Sequence, residues 1–481
     1  TRELNYSKRI VIQIDYNEKI LSDFFPIKDG FTDDYLKTSV INFSQAVQWT
    51  GKKISILPNN PLDNYWYDPA KDFFKIYLKV KGVYRLTYDY LSSKGMPLYL
   101  GMPSSNFNIY NNGVTIPIDV VDGGDSTFDH GDYIEFVGYP PTPTPYSNMN
   151  IYNLSNIYWI SYQENTTPHR YLNTDGFPSS YNRTFQSVPE VLHFEKDSLY
   201  ERLGYVPIDM SAMTDYWFWG KATAQNRQAL FGFEDLFSEF PNRNLDSNWV
   251  TLRVKMHGMT NSSACATDHK AEIELTDQPI GSIIWDGQKE ATFEKRFYVS
   301  NDSIRIFPTG NRLNVWVRGD ICPVTSGVNR DEIRVNWYEY EYERTNRVSG
   351  TYFIFKSPKN VTGVNRYWLW SWESDSMKIL IPSKSKMIKN PQKFNDDINS
   401  FLFVDTVNTQ AEYFCVSDNS YLLPDSVVRN IPSDLRNTSN GADYIIITHP
   451  DFIEAANRLA EFRINNFSDS SIANPRVKVV D

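Results

Sequence analysis

The segment WVTLRVKMHG, Trp249 to Gly258, sets Val250, Leu252, Val254 and Met256 at alternate positions with Thr251, Arg253 and Lys255 between them. A period of two over this length describes a strand with one buried face. The pattern returns in KAEIELTDQPIGSIIWDG, SIRIFPTGNRLNVWVRG and DEIRVNWYEYEYER, all within residues 187–346. Strands at that spacing predict a single β-sandwich. A strand, a turn such as TGN, another strand and a long final strand point to a jelly roll. In that final strand Tyr338, Tyr340 and Tyr342 share one face, and Glu339, Glu341 and Glu343 the other. The acids are expected in solvent, where they discourage pairing at a sheet edge.

Upstream, RIVIQI and KKISIL are short strand candidates broken by PNNPLDN. DFFKIYLKVKGVYRLTYDYL alternates Phe74, Ile76, Leu78 and Val80, breaks at Lys81-Gly82, and resumes at Val83. It reads as a β-hairpin. NFNIYNNGVTIPIDVV repeats the logic around Asn112-Gly113, and DYIEFVG and NIYWISY add two strands. Downstream, TYFIFKSP opens a smaller β region. The chain closes on strand, helix, strand: YIIIT reads as a strand buried on both faces, and Ile453, Ala456, Ala460, Ile464 and Phe467 give the helix an apolar face behind Pro450. RVKVV follows Pro475. Two strands and one helix cannot cover one another's apolar faces, so a longer protein or another chain is expected to supply the missing strands. The fold class is mainly β and multidomain, with jelly-roll sandwiches followed by the beginning of an α/β domain. The expected divisions are a β module at 1–68, a hairpin-rich domain at 69–186, the jelly roll at 187–346, a small β domain at 347–436 and the incomplete α/β unit at 437–481.

Length alone, 481 residues, exceeds one ordinary core. A net charge of −10 argues against a general nucleic-acid binder. No run approaches a membrane span, and TRELNYSKRI has no apolar signal core, although a leader removed before Thr1 is compatible with it. Three cysteines, Cys265, Cys322 and Cys415, form no CxxC pair and allow one disulfide. The 15% aromatic content resembles extracellular or envelope β-proteins.

The order KIYLKVKGVYRLTYDYL, NNGVTIPIDV, GDYIEFVGYP, YNLSNIYWISY resembles the N-terminal β-region of large gingipain-type cysteine peptidases. HFEKDSLY, DYWFWG and the jelly-roll run with HGMT and IIWDG continue it. GADYIIITHPDFIEAANRLAEFR resembles the first strand and helix of that family's caspase-like domain. The resemblance covers most of the chain from about residue 70 and is greatest to the type IX secretion sortase component and related secreted proteins. It implies a His-Cys pair in which imidazole activates a thiolate, carried on later strands than any present here. No catalytic residue is therefore assigned within 1–481. The resemblance further implies a scaffolding role, a secreted or cell-surface location, and partners among the downstream remainder of the protein, a cleaved second chain, or outer-membrane and secretion-complex proteins. Two alternatives stand beside it: an adhesion protein whose jelly roll contacts glycans, and a structural subunit of an envelope assembly.

Several constellations carry a functional and a plainer reading. Asp122, Asp125, Asp129 and Asp132 in VDGGDSTFDHGD form a candidate calcium loop, with Glu135 just beyond; the plainer reading is a solvated loop whose acids brace turns. Trp368, Trp370 and Trp372 alternate in RYWLWSW and, if exposed, form a stacking row for sugar rings; core is the favoured reading. Trp217 and Trp219 of DYWFWG pose the same choice. His449, before Pro450, reads as a capping residue rather than a catalytic base. Cys415 reads as a small buried hydrophobe, and Cys265 with His269 offers too few ligands for a zinc site.

Overall fold

A computed structural model describes residues 66–480 except 69, 144–152, 164–167, 178–179, 202–215, 225–227, 233–248, 263–264, 276–277, 299–311, 323–330, 395–397, 433–439, 468–471 and 473. The strand candidates RIVIQI, KKISIL and SIRIF lie outside the described residues. Residues 70–431 form one compact unit, and the described residues from 432 onward belong to another.

The first strands are β1 (Phe73–Leu78) and β2 (Gly82–Thr87), followed by the short helix α1 (Tyr88–Ser93), β3 (Asn108–Asn111), β4 (Val114–Ile116), β5 (Asp119–Val121), β6 (Tyr133–Gly138) and β7 (Asn156–Ser161). β3 and β4 form the expected tight hairpin, with Asn112 at φ 50° and Gly113 at φ 81°, both left-handed as a two-residue turn requires. The hairpin expected across Lys81-Gly82 does not form. β1 pairs with β7, whereas β2 pairs with β6 in a separate sheet. The free edge of β2 is taken instead by the backbone of Leu422, which donates to Val83 O (2.8 Å) and accepts from Arg85 N (3.0 Å). Phe74, Ile76 and Leu78 of β1 still meet Tyr84 and Leu86 of β2 in one buried cluster. Two strands in facing sheets show the same alternation as a hairpin, because both arrangements turn the apolar sides into one core.

After β8 (Arg183–Phe185) comes the jelly roll: β9 (Ser187–Glu195), β10 (Gly220–Thr223), β11 (Gln228–Gly232), β12 (Trp249–Gly258), β13 (His269–Leu275), β14 (Gln278–Trp285), β15 (Glu290–Tyr298), β16 (Arg312–Trp316) and β17 (Glu332–Thr345). One sheet runs β9–β17–β12–β15 with β10 also on β17; the other runs β11–β16–β13–β14. Val250, Leu252, Val254 and Met256 of β12 and Tyr338 and Tyr340 of β17 are fully buried against Ile273, Leu275, Leu313 and Val315 of the second sheet. Each such side chain contributes roughly 1.5–3 kcal/mol, so the alternating pattern alone sets which face turns inward.

Further strands of this unit include β18 (Tyr352–Lys356), β19 (Gly363–Trp372), β20 (Lys378–Ile381), β21 (Lys386–Ile388), β22 (Gln392–Phe394), β23 (Ser400–Val407), β24 (Glu412–Val416) and β25 (Ser426–Arg429). They do not stand apart from the 69–186 region. β25 adds to the edge of β1, β8 lies parallel on β19, and Leu172–Asn173 lies parallel on β21. Val83, Val137 and Tyr171 share a core with Leu380, Met387, Phe414 and Val416. A buried ionic cluster joins the same segments. Glu135, fully buried, accepts from Arg85 Nε (2.9 Å) and Lys378 Nζ (2.5 Å), and Lys378 also reaches Asp119 (3.0 Å). Burial alone would push Lys378 down; the charges of Glu135 and Asp119 overcome it and hold the ammonium above its ordinary range. The regions expected as separate domains, 69–186 and 347–436, thus interlock, through contacts distant in sequence such as Lys378 to Glu135, 243 residues apart.

In the second unit, β26 (Tyr444–Ile447) and β27 (Val477–Val480) pair in parallel, with α2 (Ile453–Asn465) between them in sequence. This is the expected strand, helix, strand. β26 is not buried on both faces, however: Ile445 and Ile447 are 59% and 84% exposed, and Phe452, Leu459, Phe462 and Ile464 are also exposed.

Candidate functional site

The acidic loop consists of turns braced by its own side chains. Asp122 Oδ1 accepts from Gly124 N (3.1 Å), Asp125 Oδ1 from Thr127 N (2.9 Å) and Thr127 Oγ1 (2.8 Å), and Asp132 Oδ2 from Asp129 N (2.7 Å). The two Thr127 hydrogen bonds hold the Asp125 carboxyl below its usual value. Burial, then the charges of Asp129, Asp125 and Asp122, raise that of Asp132. Glu135 leaves this loop for the buried cluster with Arg85 and Lys378. Among the described residues no three His, Cys, Asp or Glu side chains converge as a metal-ligand set.

The tryptophan row is interrupted. Trp368 and Trp370 share the half-buried face of β19, with ring centroids 6.2 Å apart and edges crossed. Ser371 then takes φ 62°, which breaks the alternation and turns Trp372 into the core beside Leu369 and Phe401. Trp372 is 1% exposed, and its Nε1 donates to Ser376 O (3.0 Å). A three-indole platform at 368, 370 and 372 does not exist. Trp217 and Trp219 separate likewise: Trp217 is exposed, and Trp219 stacks on Tyr338.

His449 caps the turn that begins at Pro450, its Nδ1 accepting from Asp451 N (3.2 Å). Cys265 and Cys322 form a disulfide with Cα atoms 5.7 Å apart. This removes Cys265 as a metal ligand. His269 is buried between Asp331 Oδ1 (2.7 Å) and Thr260 O (3.1 Å). Cys415 is fully buried, and that burial pushes its thiol well up.

One arrangement escaped the sequence reading. The outer face of β9–β17–β12–β15 carries an open groove of about 570 Å³, lined by Trp249, Thr251, Arg253, Glu294, Arg296 and Glu341 among others. The register places Arg253 of β12 between Glu339 of β17 and Glu294 of β15. Its Nε donates to Glu294 Oε2 (2.8 Å) and its Nη2 to Glu341 Oε2 (2.8 Å). The guanidinium of Arg296 lies over the Trp249 indole at 5.0 Å, and Tyr298 meets the same indole edge-on at 5.4 Å. Burial, with a further push from Glu341, raises the Glu343 carboxyl, against a hydrogen bond with Ser187. Of the acids expected in bulk solvent, Glu341 and Glu339 are drawn to Arg253 at 2.8 and 3.8 Å, and Glu343 is half-buried. Alternation exposed these residues as one face; only the register brings the charges together.

No family model matches the sequence, and no curated protein sequence is significantly similar to it. Among solved structures, dimeric latent PorU from Porphyromonas gingivalis aligns at a TM-score of 0.57 and 14% identity, covering 86% of this chain and 37% of that one. The chain thus spans little more than a third of the PorU chain's length. This is a likeness of fold. A carbohydrate-binding module, CBM36, solved with calcium and xylotriose, aligns over 31% of this chain at a TM-score of 0.18 and 11% identity.

Proposed function

We propose that residues 1–481 are the N-terminal scaffolding portion of a gingipain-like protein of the type IX secretion sortase kind, which positions a caspase-like domain begun by β26, α2 and β27. The observation that carries this reading is the exposed apolar surface of that last unit. A parallel sheet is ordinarily covered on both faces, yet Ile445, Ile447 and Phe462 face solvent, as suits a unit that further strands and helices would cover. The fold shared with PorU over 86% of this chain supports the same reading. Peptide cleavage or transpeptidation, where the parent protein performs it, then rests on a His and a Cys outside these residues. The three cysteines here are tied in a disulfide or sealed in a core. The location we propose is the secreted or cell-surface face of a bacterial envelope.

Intact mass and peptide mapping of the protein purified from its native source test this reading. Sequence continuing past Asp481, with a His and a Cys on later strands, is the expected result. A native polypeptide that ends at Asp481 would overturn it and turn attention to a separate chain that covers β26.

A further inference from the structure

We propose that the outer face of the jelly-roll sheet β9–β17–β12–β15 is a saccharide-binding groove that takes a neutral oligosaccharide chain. This inference is independent of the role proposed above. It also moves the glycan reading from the tryptophans of β19 to a different strand set.

Three properties of the groove select this ligand class. The first is charge balance. Arg253 and Arg296 stand among Glu294, Glu341 and Glu343, so neither a polyanion nor a polycation finds a field of one sign. The second is preorganised hydrogen bonding. One guanidinium holds Glu294 and Glu341 at 2.8 Å each. A carboxylate has about four acceptor sites and a single bond to arginine uses one, so oxygens fixed in place remain for sugar hydroxyls, beside the Thr251 hydroxyl. Groups that are already oriented lose little entropy when a ligand arrives. The third is an apolar end wall. Trp249 lines the groove and is 40% exposed, with Arg296 over its indole; Tyr298, its cross-strand neighbour just beyond the lining, is 41% exposed. Rings of this kind offer the apolar faces of a sugar a flat surface while keeping a polar tip in water. The groove is open rather than enclosed, which suits a chain that lies across strands. The tryptophans of β19 lack these properties, since Trp372 is core and the Trp368 Nε1 is itself buried.

The test is native affinity electrophoresis of the full 481-residue chain through gels containing xylan, mannan, dextran or alginate. Retardation by at least one neutral polysaccharide is expected, and it persists at high salt because no net charge drives it. Trp249→Ala is expected to weaken it about tenfold, the loss typical of an aromatic anchor. Glu341→Gln, which preserves shape, weakens it as well, whereas Trp370→Ala leaves it unchanged. No retardation by any of the four, retardation by alginate alone that salt abolishes, or retardation equal in wild type, Trp249→Ala and Glu341→Gln would each overturn the assignment.

Discussion

Reduction of Cys265–Cys322 is a direct probe of the jelly roll. The bridge ties the segment before β13 to the segment after β16 and closes a loop with a sequence separation of 57. In the chain-entropy treatment, a closure of that length removes about 14 cal/mol/K from the unfolded ensemble, or about 4 kcal/mol at room temperature. Both cysteines are half-buried, so a small reductant reaches them in the folded protein. The strands they link are held by Ile273, Leu275, Leu313 and Val315, all fully buried, so the fold is expected to persist with less margin. Hydrogen exchange read by mass spectrometry, with and without a phosphine reductant, measures that margin locally. The slowest amides of β12, β13, β16 and β17 are expected to lose about three orders of magnitude of protection, since each decade corresponds to about 1.4 kcal/mol. Unchanged protection in these four strands after complete reduction would refute the reasoning, and would mean that the loop is already constrained in the unfolded chain.

Three further outcomes follow from packing and charge. Lys378→Met leaves Glu135 and Asp119 buried without the cation they share; urea unfolding should show a loss of about 3–5 kcal/mol, partly recovered by adding Glu135→Gln, and a loss below about 1 kcal/mol would contradict the cluster's role. Trp372→Ala should cost about 3–5 kcal/mol in the same assay, whereas Trp370→Ala, at a half-buried position, should cost less than about 1.5 kcal/mol; equal costs would restore a common face for the two indoles. The hydrogen bond that His193 donates to Glu195, then the one it donates to Glu339, raises its pKa against the opposing effect of burial. The stabilisation is therefore complete below the ordinary histidine value of about 6.5 and is lost as pH rises through the higher folded value. NMR titration of the imidazole should give a midpoint above that of a model histidine, and His193→Gln should remove this contribution to the pH dependence of the melting temperature.

Much of this molecule was legible before its strands were paired. Inward and outward faces depend only on the period of two, so Val250 to Met256 and Tyr338 to Tyr342 could be placed from residues alone. The turn at Asn112-Gly113 and the cap at His449 depend on a few neighbouring backbone atoms, and they too could be read locally. Tertiary structure decided everything that depends on partners distant in sequence. β2 meets Leu422 rather than β1, β25 returns to β1, and Lys378 is drawn to Glu135, because backbone hydrogen bonds and desolvated charges are satisfied by whichever group the chain brings near. Ser371 sends Trp372 inward through one left-handed residue that strand periodicity does not register. The groove on the jelly roll belongs to the same class: alternation put Arg253 and the glutamates on one face, and the register of three strands made them a site.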